Sequence, residues 1–88
     1  MYQIDITQEK FDFLKRVKGK YAMDPVIIAV IESSDPLPAS LEVEEEQQFT
    51  NILEMLFDIS KEDENAENRE FAKKWSVEIY QPPSTLFR

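Results

Sequence analysis

The sequence predicts a mainly α, compact single domain of three to four helices with a short N-terminal strand. Three observations lead there. Apolar residues recur at helical spacing in several long stretches. Thr7, Asp24-Pro25 and Ser40 each supply a helix start. The 88 residues contain one glycine, which leaves few tight hairpins. An α+β arrangement, with a small sheet from residues 2–6, 26–31 and 77–80, is the alternative. Residues 1–80 read as the domain and 81–88 as an extended C-terminal tail.

Residues 2–6 alternate, with Tyr2, Ile4 and Ile6 on one side and Gln3 and Asp5 on the other, the pattern of a short strand. Thr7 then caps a helix running to about Lys18, with Glu9 at its positive end. Phe13, Leu14, Val17 and Tyr21 form its apolar stripe, with Phe11 beside them. Gly19 stands where a helix stop needs a left-handed residue.

Residues 24–33 start as a helix should, with an acid before a proline, although the β-branched run Val26 to Ile31 also suits a buried strand. Helix is preferred because hairpin turns are scarce. The run is apolar on every face, so either form places it in the core. Ser34 to Ala39 is a proline-rich connector in which Pro36 and Pro38 oppose helix.

Ser40 reads as the cap of a helix reaching Ile59, with Phe49, Ile52, Leu53, Leu56 and Ile59 as its stripe. One conflict is visible. Glu42 and Glu45 fall on the same face as that stripe, so the first two turns cannot bury as the rest does. A polar break at 60–65 precedes a helix from about Asp63 to Trp75 that groups Asn68, Phe71, Ala72 and Trp75. Residues 76–80 either extend that helix, adding Ile79, or turn into a strand. Pro82-Pro83 stops both.

Composition excludes much chemistry. With no Cys there is no disulfide, thiolate nucleophile or zinc–thiolate site. With no His there is no ordinary imidazole base, ligand or pH switch. One glycine cannot make a phosphate-binding loop. Residues 58–69 resemble a calcium loop only at their start, since Asp63 and Arg69 stand where glycine and glutamate are needed. The expectation is therefore no enzyme, no metal and no cofactor. No apolar run spans a membrane and the N-terminus lacks signal-peptide features, so a cytoplasmic location is expected.

Charge is the informative asymmetry. The formal net charge is −8, and residues 42–70 hold eleven acids against Lys61 and Arg69, a net of −9. The bases of the first third cluster between Lys10 and Lys20. That basic helix is read as pairing with the acidic helix, within or between copies, and not as a nucleic-acid patch.

The function this points to is a non-catalytic, acidic protein-binding module that antagonises a basic partner, such as an antitoxin, an immunity protein or an inhibitor of a nucleic-acid-binding enzyme. Its candidate partner-binding residues are Glu42, Glu45, Glu46, Asp58, Glu62, Tyr80 and Phe87. Tyr80 and Phe87 enter as aromatic anchors flanking Pro82-Pro83. The competing class is a structural or accessory subunit, including a homodimer, whose charges keep it in solution and whose apolar faces, Phe57 among them, join a larger assembly.

Overall fold

Alternation at the N-terminus becomes strand β1 (Tyr2–Ile6) in a computed structural model that describes residues 2–33 and 39–80. Ile4 and Ile6 point into the core while Gln3 and Asp5 face solvent. Helix α1 (Gln8–Val17) follows directly, its first turn closed by the Lys10 N–H donating to the Thr7 hydroxyl at 3.2 Å. Phe13, Leu14 and Val17 are fully buried. Beyond the helix, Gly19 adopts φ 85°, a conformation that a side chain disfavours.

Residues 24–33 resolve as helix α2 (Pro25–Glu32), with Pro25 in the first turn and the Asp24 carboxylate accepting the Val26 N–H at 3.0 Å. The expectation that this segment is core on every face is corrected. Ile27 and Ile31 are buried, but Ala29 is exposed and Ile28 is 36% exposed. The helix lies at the margin of the domain against α1, so one stripe is covered and the other is not.

The largest correction concerns residues 39–45. Instead of a helix capped by Ser40, the chain forms strand β2 (Ala39–Val43), antiparallel to β1 with Ile4 opposite Leu41. The conflict visible in the sequence is the physical reason. A helix would have turned Glu42 toward the apolar stripe, whereas period-two geometry buries Val43 and leaves Ser40 and Glu42 in water. It also supplies β1 with the hydrogen-bonded partner that no lone strand can do without. The alternative sheet is corrected with it, since 26–31 and 77–79 are helical.

Helix α3 (Glu46–Glu62) starts at Glu45, whose N–H donates to Gln48 Oε1 at 3.3 Å. It runs three residues past the predicted end and buries Ile52, Leu53, Met55, Leu56 and Ile59. After three connecting residues, helix α4 (Ala66–Ile79) folds back along it, capped by Asn65, whose side chain accepts from the N–H groups of Glu67 and Asn68. The extension through Ile79 is the helical one.

The α3–α4 pair packs with α1 and the inner face of the sheet around one core. Phe13 stacks on Phe71 at 4.7 Å between centroids, and Trp75 meets both rings edge-on. Tyr2 stacks on Phe49 at 4.1 Å, pinning the start of β1 to α3. The result is a compact, mainly helical unit with a radius of gyration of 13.0 Å. The connector 34–38 and the tail 81–88 lie outside the described residues.

Candidate functional site

Ten of the eleven acids in 42–70 are solvent-exposed, Asp63 being the exception. Their distribution follows from the elements that carry them. Glu42 projects from the outer face of the sheet, Glu45 and Glu46 sit at the start of α3, and Glu54, Asp58 and Glu62 follow at four-residue spacing along α3. From Glu46 to Glu62 this row covers roughly 24 Å. The predicted acids therefore form a ridge and not a compact cluster.

Among the described residues, none of the eleven carboxylates lies within 4.0 Å of a basic side-chain nitrogen. The expected pairing of the basic first helix with this region does not occur within the chain. Lys10 pairs with Glu78 of α4 instead, and Lys18 with Glu32 at 3.4 Å. Lys10 is largely buried; its Nζ also donates to the Asp5 carbonyl and lies 5.4 Å from the centre of the Trp75 ring. Its charge is thus satisfied locally and unavailable to α3.

Beside the ridge, residues 22–25 and α3 enclose an open groove of about 310 Å³. Met23, Met55 and Pro25 line its apolar part, and Asp24, Glu54 and Asp58 supply carboxylates. Asp24 is committed already: it caps α2 and accepts from Asn51 Nδ2 at 3.0 Å. Glu54 and Asp58 form no hydrogen bond or ion pair among the described residues. Thioethers next to free carboxylates suit the long methylene stem and charged head of a lysine or arginine. Among the described residues no three acidic side chains are grouped so as to hold a metal ion.

The other predicted positions fall outside this ridge. Tyr80 ends α4 and is 62% exposed. Phe87 lies outside the described residues.

One cluster was not anticipated. Asp63, 5% exposed, accepts from Tyr21 Oη at 2.9 Å, Asn68 Nδ2 at 3.0 Å and the Asn65 N–H at 3.1 Å. Asn68 Oδ1 in turn accepts from Arg16 Nε at 3.1 Å. Burial disfavours the Asp63 charge, but the bonds from Asn68, Tyr21 and the Asn65 N–H, with attraction to Lys20, outweigh it and hold the carboxyl below its ordinary range. Burial, the bond to Asp63 and the nearby charges of Asp63, Glu62 and Asp58 push the Tyr21 phenol up to about 12. This clasp ties α1 and the turn after it to the α3–α4 connection. Its signal in the sequence was Asn68 on a buried stripe, because a buried amide requires partners.

Comparison with protein-family models, with curated proteins and with solved structures returned no match for this chain.

Proposed function

We propose that this protein is a non-catalytic binding module whose acidic ridge docks a basic partner protein and antagonises it, as an antitoxin, immunity protein or inhibitor of a nucleic-acid-binding enzyme does. One observation carries the reading: ten exposed carboxylates, spread over β2, α3, α4 and the connections between them, have no ion pair among the described residues. Uncompensated charge of one sign raises the local potential, speeds encounter with a cation and rejects acidic competitors. Its self-repulsion costs stability, so a fold that keeps it without internal pairing has reason to present it outward. The proposal includes a cytoplasmic location and assigns no cofactor, metal or direct nucleic-acid contact.

The test is affinity capture from lysate at low and high salt, with the native chain and a Glu42→Lys, Glu46→Lys, Asp58→Lys variant. Glu45 is left intact because its backbone N–H takes part in capping α3. The proposal expects a basic protein retained at low salt, released by salt and absent with the variant, while the melting temperature barely moves. Retention that ignores both salt and charge reversal would refute it.

A second reading has its own support. Phe57, Val77 and Tyr80 are 43%, 60% and 62% exposed. An accessory subunit or homodimer would bury such residues, and would lose assembly when Phe57 and Tyr80 become serine while tolerating the lysine variant.

A further inference from the structure

The sheet has two strands, so each strand has one outer edge, along which every second N–H and C=O points away from its partner. The two edges differ. On β1, the Lys10 ammonium covers the Asp5 carbonyl and α1 begins two residues after the strand ends. On β2, no backbone group of residues 39–43 bonds to anything but β1 among the described residues. An uncovered edge is a template for another strand unless the protein blocks it.

We infer that the β2 edge is where the basic partner docks, by adding an extended segment as a third strand. This rests on the proposed acidic-module reading and states how that module engages its partner. The occupant follows from the side chains that would flank it. On the solvent face lie Gln3, Asp5, Ser40 and Glu42, two carboxylates and two neutral polar groups with no base among them. On the core face, Val43 is buried but Leu41 is only half-buried, leaving apolar surface beside the edge. A strand alternating basic and apolar residues places lysine or arginine next to Glu42 and an aliphatic side chain next to Leu41. A second copy of this chain is a poor occupant. Pairing β2 with itself sets Glu42 and Glu44 of two molecules in one neighbourhood, and like charges across strands repel.

The probe is a blocked peptide alternating lysine and valine, long enough to pair with all five residues of β2, added to the isotope-labelled full chain. Its control carries the same side chains on a fully N-methylated backbone, which keeps the charge and removes the donors. The first peptide is expected to bind saturably at low ionic strength and to slow amide exchange within 39–43 by roughly tenfold or more, with the control at least about tenfold weaker. Equal affinity for both peptides overturns strand addition while leaving the acidic ridge as a charge-recognition surface. So do shifts confined to Glu54 and Asp58 with exchange in 39–43 unchanged. Failure of both peptides to bind at low ionic strength overturns the strand proposal and the acidic-module reading together.

Discussion

Replacing Asp63 with alanine tests whether the unanticipated clasp holds α1 and the turn after it to the α3–α4 connection. The side chain accepts three hydrogen bonds, and the partners differ in what they lose. Asn68 is 4% exposed, so its orphaned amide carries the full desolvation penalty, about 1–3 kcal/mol. Tyr21 is half-buried and recovers a bond to water, which limits its share to about 1 kcal/mol. The exposed Asn65 N–H loses about 0.5 kcal/mol. Arg69 is spared, because its guanidinium donates to the backbone carbonyls of Asp63 and Glu64. Removing one negative charge from a chain of net −8 recovers a few tenths, or about 0.3 kcal/mol.

The expected loss is about 2–4 kcal/mol, a large part of what a domain of this size possesses. Urea unfolding at neutral pH measures it. The same titration in acid gives the decisive result. The folded carboxyl is held below its unfolded value, so its contribution is complete above about pH 4 and disappears as pH falls through the folded value. Wild type and variant should therefore converge on acidification, with Asp63→Asn between them. A deficit under about 1 kcal/mol at neutral pH, or one that does not shrink in acid, refutes the account.

Three further outcomes are expected. Phenolate absorbance should show a component rising near pH 12 that Tyr21→Phe removes; because the folded value of Tyr21 is raised to about 12, wild-type stability falls between about pH 10 and 12, and the same variant flattens that slope. Ile27→Ala should cost about 2–4 kcal/mol in urea unfolding and Ile28→Ala less than about 1.5, because only the first is fully enclosed. Trp75 Nε1 is buried with no acceptor among the described residues, so Trp75→Phe removes an unsatisfied donor along with ring volume. Its cost in the same assay should stay well under the roughly 3–5 kcal/mol expected of Trp75→Ala.

Most helices were legible because their causes are local. Thr7, Asp24-Pro25 and Gly19 act within a few residues of their own positions, and the stripes of α1 and α4 repeat within single segments. The acidic surface was legible too, as a count. Its shape was not, because the distance between Glu42 and Glu62 depends on where a strand ends and a helix begins. Residues 40–44 show why. Ser40 is a plausible cap when read alone, and only β1, some 35 residues away, makes the strand the better use of that backbone.

What the sequence determined by itself was the class of molecule: small, mainly helical, strongly acidic, without Cys or His and with a single glycine, where many catalytic sites require more. The tertiary structure decided which charges meet. Lys10 and Lys18 are taken by Glu78 and Glu32, Asp63 is drawn inside by Tyr21 and Asn68, and the other ten acids of 42–70 are left facing water. Local rules set each backbone segment, but electrostatic partners are chosen by distance in space, and those distances exist only once the segments have packed.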